Sequence, residues 1–225
     1  ELKGEAAKPR EVTKMIGADI SFLPQLEDRG MKFTDNGVQK DAIAIMKDHG
    51  FNYIRLRIFN DPARDSGYSP KKGFCDLENT KKMAKRVKAA GMKFLLDFHY
   101  SDYWADPGKQ YKPAAWKNLS FEELKKALND YTKKVIQELK DQGTTPDMVQ
   151  VGNEINHGMV WREGNVSNVD SMSQLIAAGI ASVKTVDPTI VIMLHVALGG
   201  QNDETVFFYD QMLKRKIHFD VIGLS

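Results

Sequence analysis

"MVQVGNEIN", residues 148–156, decides how this chain is read: a short apolar, strand-forming run reaches a glycine and then stops on an amide beside a carboxylic acid. A buried strand has little reason to end on Asn153-Glu154 unless that end opens onto a site that uses them. Outward in both directions the same unit recurs, a β-like run followed by a helical stretch with a glycine or proline stop. Residues 13–21 ("TKMIGADIS") are the first predicted strand, and residues 36–50 the first predicted helix, with Val38, Ala42, Ile45, Met46 and His49 at helical spacing and Gly50 just past its end. "FNYIRLRIF" follows as a strand, then a polar loop over residues 60–76, and a helix over residues 77–90 closed by Gly91. "MKFLLDFHY" leads through a long loop to Ser120 and Glu123, whose spacing is that of a capping box opening a helix that ends near Gly143. After the fourth strand, residues 172–186 are helical, "TIVIMLH" is a fifth strand, residues 204–216 a fifth helix and "FDVIGLS" a sixth strand.

Strict alternation with near-continuous apolar strands predicts a parallel sheet covered by helices. An open doubly wound sheet usually carries a glycine-rich first turn, and "GADISFLPQLEDRG" is not GxGxxG. A (β/α)8 barrel instead predicts polar and ionisable residues at the C-terminal ends of several strands. That is the pattern here: Asp19, then Arg55 and Arg57, then Asp97, His99 and Tyr100, then Asn153 and Glu154, then His195. The expected fold is therefore a TIM barrel, and the strand-end rule explains why the buried run stops on Asn-Glu.

Composition narrows the function classes. The chain has 225 residues, 42% hydrophobic and 28% charged, with a formal net charge of +2, so there is no electrostatic footprint for nucleic acid or an anionic membrane. No apolar run approaches the roughly 18 residues of a membrane span, and the opening "ELKGEAAKPREV" has no signal-peptide core, as in a mature secreted protein whose signal has been removed. Cys75 is alone, which excludes an internal disulfide and reads as a bystander thiol. No GxSxG elbow surrounds Ser101 or Ser225, so serine-hydrolase chemistry gains no support.

Each candidate residue has a plain structural reading beside the functional one. On position alone, Glu154 reads equally well as an ion-pair partner for Arg55 or Arg57. The two arginines share one face of their strand, and a buried guanidinium needs a carboxylate, for which Glu154 or Asp97 would serve. His99, with His157, His195 and Asp97, raises a metal site, but His-x-His and His-Glu-x-x-His spacings are absent. Asp102, Asp106, Asn165 and Asp170 are oxygen donors that a structural calcium ion could use; without EF-hand spacing they read as solvated loop residues. Trp104, Trp116 and Trp161 fall in loops after the third and fourth strands, where an indole either caps the barrel core or stacks on a sugar ring.

"DFHYSDYWADPGKQYKPAAW" (residues 97–116), "VGNEINHGMVW" and "GADISFL" together closely resemble glycoside hydrolase family 53, the arabinogalactan endo-β-1,4-galactanases, which are retaining (β/α)8 glycosidases. The resemblance runs from about Gly17 to the last residue. It implies β-1,4-galactan or type I arabinogalactan as the substrate, no obligatory cofactor, and Glu154 as the general acid/base. Asn153 matches the asparagine that bonds the sugar 2-hydroxyl. Arg57 matches an arginine beside the nucleophile, and His99 and His195 match pocket histidines. Asp19, Asp97, Tyr100, Asp102, Trp104 and Trp116 are further expected substrate-binding positions. A polysaccharide substrate implies an extracellular, periplasmic or cell-surface location.

The same resemblance places the nucleophile, a glutamate, at the end of a seventh barrel strand, and the sequence reaches Ser225 in the sixth. A complete barrel takes roughly 250 residues, so the expectation is a single catalytic domain over residues 1–225, an incomplete barrel of about six βα units with the C-terminal part missing. Such a polypeptide is expected to be inactive as a hydrolase and to associate or be marginally stable through its open strand edges. Two other readings stay open: a galactan-binding module that does not cut, and a metal-dependent barrel hydrolase.

Overall fold

The computed structural model describes residues 13–225. The signal-peptide reading concerns residues 1–12 and lies outside the described residues. The barrel strands are β1 (Gly17–Asp19), β4 (Tyr53–Ile58), β5 (Lys93–Phe98), β6 (Met148–Val151), β9 (Val191–Val196) and β10 (Val221–Leu224), side by side in that order. Every neighbouring pair is parallel. Six parallel strands in chain order, curled with helices outside, make an incomplete (β/α)8 barrel. Between them run α1 (Leu23–Asp28), a small hairpin of β2 (Thr34–Asp35) and β3 (Val38–Gln39), α2 (Ala42–Asp48), α3 (Leu77–Ala89), α4 (Phe121–Asp141), a second hairpin of β7 (Gly158–Met159) and β8 (Gly164–Asn165), α5 (Val169–Val186) and α6 (Asn202–Lys214).

The helix boundaries follow from local chemistry. Ser120 and Glu123 form the expected reciprocal box at the start of α4. Asp41 and Asp76 accept from orphan N–H groups at the starts of α2 and α3. Gly50, Gly91 and Gly143 take positive φ just beyond α2, α3 and α4. The stretch at residues 36–50 departs from its expected helix. Asn36 and Gly37, with φ of 49° and 79°, make the two-residue turn of the β2–β3 hairpin, so Val38 is a strand residue and the helix waits for the Asp41 cap. The first strand is also shorter than expected, only three residues, and α5 starts at Val169 under an Asn168 cap rather than at Met172.

The two faces of the sheet are different materials. Outward residues such as Ile54, Leu56, Ile58, Phe94, Leu96, Phe98, Val149, Val151, Ile192 and Leu194 are buried against the helices in one large core. Inward residues change character along the strands. The floor is a small apolar cluster of Tyr53, Leu95, Met148 and Val191. Met193 packs against that floor, and further toward the C-terminal ends the inward positions are Arg55 and Arg57, Asp97, Gln150 and His195. Period-2 alternation thus puts a polar, largely ionisable layer above an apolar plug, within the mouth of the barrel. Among the described residues no helix is long and apolar enough to cross a membrane.

Candidate active site

The turn after β6 aims the central carboxylic acid. Gly152 has φ +85°, and a Cβ there would lie 2.6 Å from Ile155 Cγ2. Glu154 itself is left-handed, at φ 51° and ψ 52°, before a short 3-10 turn at Ile155–His157. A left-handed non-glycine residue costs about 1–3 kcal/mol and persists only where its surroundings hold it. Here the holders are visible. Gln110 donates through Nε2 to the carbonyls of Asn153 and Glu154, at 2.8 and 3.3 Å, and the Glu154 N–H donates to His195 Nδ1 at 3.3 Å. A Gly152→Ala substitution is expected to destabilise the fold by at least about 1 kcal/mol and to displace Glu154; an unchanged unfolding midpoint in urea would show that the turn accommodates a side chain.

Below Glu154 lies a network of two arginines and two aspartates. Arg55 reaches Asp97 Oδ2 at 2.7 Å and Asp19 Oδ2 at 3.2 Å, and donates to Asn153 Oδ1 at 2.8 Å. Arg57 reaches Asp19 Oδ1 at 3.0 Å and lies over the Trp104 ring, 4.2 Å from its centroid. Asp97, completely buried, also accepts from Gln150 Nε2 at 2.6 Å and pairs with His99 Nε2 at 3.0 Å. Ala105 N–H donates to His99 Nδ1 at 3.0 Å, so that imidazole carries its proton on Nε2, toward Asp97. Burial disfavours the Asp97 charge, but Arg55 and then His99 outweigh it and hold the carboxyl down at about 2. Two positive and two negative charges thus pair with one another, and only Arg57 Nε among these groups is buried without a hydrogen-bond partner.

Glu154 stands outside that network, which decides against the plain ion-pair reading. Its carboxylate accepts from Ser225 Oγ at 3.4 Å, and the arginines direct their guanidinium groups elsewhere. Desolvation, and then the negative charge of Asp106, raise its pKa above the ordinary glutamate value, and Ser225, Arg55 and His99 only partly offset this. His195 contacts Ser225 Oγ through Nε2 at 3.1 Å; burial pushes its pKa down to about 4, so it is neutral at physiological pH. Asn153 accepts from Arg55 and Gln150 at Oδ1 and donates through Nδ2 to Ala105 O, which fixes its orientation beside Glu154.

A sequence model of Glycosyl hydrolase family 53 matches residues 15–225. The chain belongs to glycosyl hydrolase family 53. A Niallia circulans relative, described as an uncharacterized protein in the bgaB 5' region, is 47% identical over 96% of this chain and 59% of its own length. The endo-beta-1,4-galactanase of Bacillus subtilis (strain 168) is 38% identical over 93% of this chain and 48% of its own length. Among solved structures, the Ignisphaera aggregans GH53 catalytic domain superposes with a TM-score of 0.88 at 42% identity, covering 93% of this chain and 58% of that one. The chain therefore spans about half to three fifths of the proteins it matches. A GH10 endoxylanase, at a TM-score of 0.62 and 13% identity, shares the fold alone.

Of the expected site residues of this family 53 chain, Asp19, Arg57, Asp97, His99, Trp104, Asn153, Glu154 and His195 converge at the mouth of the barrel. Tyr100 and Trp116 do not. Tyr100 is 1% exposed, stacks on Phe98 and bonds Thr132 Oγ1 of α4, while Trp116 is 7% exposed and packs on Tyr100 and Tyr131. Both belong to the packing between sheet and helix, so neither offers a sugar-stacking face. Asp102 organises the loop rather than the pocket: it accepts from Asp61 N–H and Ala114 N–H and pairs with Arg64. Cys75, buried, donates to Ser21 O, and burial pushes its thiol up to about 12.

Arg55, expected among the strand-end residues and in need of a carboxylate, finds Asp97 rather than Glu154. Three participants lie outside the expected set: Gln150, Gln110 and Ser225. Among the described residues no three His, Cys, Asp or Glu side chains gather as a metal-binding group. His157 instead pairs with Glu204 at 2.9 Å, and Asp170 with Arg215.

Proposed function

We propose that this chain carries the acid/base half of a retaining endo-β-1,4-galactanase site, with Glu154 as the general acid/base. One observation supports the reading most: a strand-end glutamate, held in a strained turn, sits beside a paired Arg–Asp network without joining it, and burial and Asp106 favour its protonated form. A general acid must hold its proton when substrate arrives, and these are the environmental terms that keep it there.

The reaction needs two carboxyl groups about 5–5.5 Å apart. Glu154 protonates the departing glycosidic oxygen, and a second carboxylate attacks the anomeric carbon to form a glycosyl-enzyme. Glu154, now ionised, then takes a proton from water as that water displaces the enzyme carboxylate. The second carboxylate is assigned to a seventh barrel strand. Arg57, whose Nε is buried without a partner, is assigned to holding that carboxylate ionised, Asn153 to the 2-hydroxyl, and Trp104, covered on one face by Arg57, to stacking on the sugar. The proposed substrate is β-1,4-galactan or type I arabinogalactan, a polymer too large to enter a cell, and the proposed site of action is accordingly outside the cytoplasm.

The test compares reducing-sugar release from β-1,4-galactan by a polypeptide of these 225 residues and by a longer one reaching the full length of the galactanase relatives. The shorter is expected to release nothing above blank, and the longer to cut with retention at the anomeric carbon, read by proton NMR. Turnover by the shorter chain, abolished by Glu154→Gln, would place the second carboxylate within these residues. If the longer chain binds galactan without cutting it, the protein is a binding module.

A further inference from the structure

We infer that Tyr111 and Trp161 form a preformed aromatic platform for galactosyl residues on the leaving-group side of the cleft; the inference rests on the galactanase reading. The two residues come from different loops, one after β5 and one after β6, and meet as a parallel β-bridge. The Trp161 N–H donates to Gln110 O at 2.6 Å, and its indole Nε1–H donates to His157 O at 3.0 Å. Lys112, next to Tyr111, and Glu163, two residues past Trp161, pair at 2.6 Å. Main-chain pairing, indole bond and ion pair hold both loops in place before any ligand arrives.

Tyr111 is nevertheless 63% exposed. A large ring kept in water by backbone pairing, rather than folded into the core, is a surface shaped for a ligand. It shares one surface groove with Trp161, Arg162, Asn165 and Ser167, so the aromatic faces are edged by groups able to bond hydroxyls. That combination of flat apolar surface and neighbouring hydrogen-bonding groups suits a pyranose, whose axial C–H face is apolar and whose rim is polar.

Direction follows from connectivity. Gln110, next to Tyr111, holds the carbonyls of Asn153 and Glu154. The platform is therefore tied through one residue to the acid/base turn, which assigns it to the side of the acid rather than of the opposite carboxylate. The acid protonates the oxygen of the departing saccharide, so sugars lying along this groove belong to the portion that leaves. Rigid exposed rings bind with little ordering loss, and a site beyond the point of cleavage favours cuts within a chain over cuts at its end.

Affinity electrophoresis through gels containing debranched β-1,4-galactan tests this with the 225-residue chain, in which every platform residue is present. Tyr111→Ala is expected to weaken retardation about tenfold, from the apolar area the ring covers, and Tyr111→Phe to retain it. Trp161→Ala should weaken it as well, and Tyr111→Ala guards against misfolding of that variant because its side chain is largely in solvent. Unchanged retardation of Tyr111→Ala, or no retardation of the unsubstituted protein, overturns the platform and leaves the galactanase reading to its own hydrolysis test. Retardation by linear mannan or xylan but not galactan overturns both.

Discussion

Glu154→Gln, introduced into a polypeptide of the full length of the galactanase relatives, should lower kcat on β-1,4-galactan by about 10²–10⁴-fold, the usual contribution of a positioned general acid. The amide keeps the size of the side chain and can still meet Ser225 Oγ, so the loss reports proton transfer and not collapse of the pocket. The defect should depend on the leaving group. A dinitrophenyl galactoside departs without protonation, so the variant should form its glycosyl-enzyme at near-normal rate and stall at hydrolysis, where Glu154 is needed as base. Added azide, which attacks without base assistance, should then restore turnover and yield a β-galactosyl azide. Equal losses on activated and natural substrates, with no rescue, would remove Glu154 from the acid/base role.

The environment of Glu154 predicts a second signature in the same experiment. Burial raises its pKa first, and the charge of Asp106 adds to that. Asp106→Asn removes the added charge, so the carboxyl loses its proton at lower pH and the alkaline limb of the kcat/KM profile should move to lower pH. A limb that stays in place would mean that another group controls it. Asp106 also pairs with Lys109 at 3.0 Å, and a Lys109→Met variant, which frees the Asp106 charge from its partner, should move the limb the opposite way.

Much of this was legible in the sequence because the barrel writes its plan locally. Glycine stops at 50, 91 and 143 and the Ser120–Glu123 box mark helix ends through backbone chemistry that needs no tertiary context. The strand-end positions of Asp97, Asn153, Glu154 and His195 likewise follow from period 2 and the strand-end rule. The misreadings also have physical causes. The Asn36-Gly37 turn was present as a hairpin signal, but apolar spacing through Val38 favoured a helix until the Asp41 cap is taken into account. Tyr100 adjoins Asp97 and His99 in the strand-end motif, but alternation from Asp97 sends it to the other face, where it stacks on Phe98. Trp116 could not be separated from an exposed rim tryptophan without knowing that Tyr131 of α4 packs across the loop. Gln150 was within reach of the same argument, since it alternates with Met148 on the inner face. Ser225 and Gln110 become meaningful only when residues tens of positions apart meet around Glu154, whereas the need of Arg55 for a carboxylate is readable from its strand and is met by Asp97.

Asp97→Ala should be the most destabilising single change in the pocket. It removes the acceptor of Arg55, His99 and Gln150 together and leaves a guanidinium without its buried partner, a loss of about 3–5 kcal/mol. For a chain of this size that lowers Tm by roughly 6–20 °C, measured by circular dichroism at 222 nm. Asp97→Asn should rescue little. Oδ2 faces the donors of Arg55 and His99 while Oδ1 faces the Gln150 amide N–H, so either orientation of an asparagine points its own NH2 at a donor. The pH dependence carries the same information with a defined sign. The folded pKa of Asp97, about 2, lies below its ordinary value of 3.8, so its contribution is fully present above the higher value and disappears as pH falls toward the lower. That contribution is about 2 kcal/mol. The stability gap between the unsubstituted protein and Asp97→Ala should therefore be constant from neutral pH down to about pH 5 and narrow below pH 4. A gap that does not narrow would mean that Asp97 titrates alike in the folded and unfolded chain, and that the Arg55 pairing leaves its ionisation unaltered.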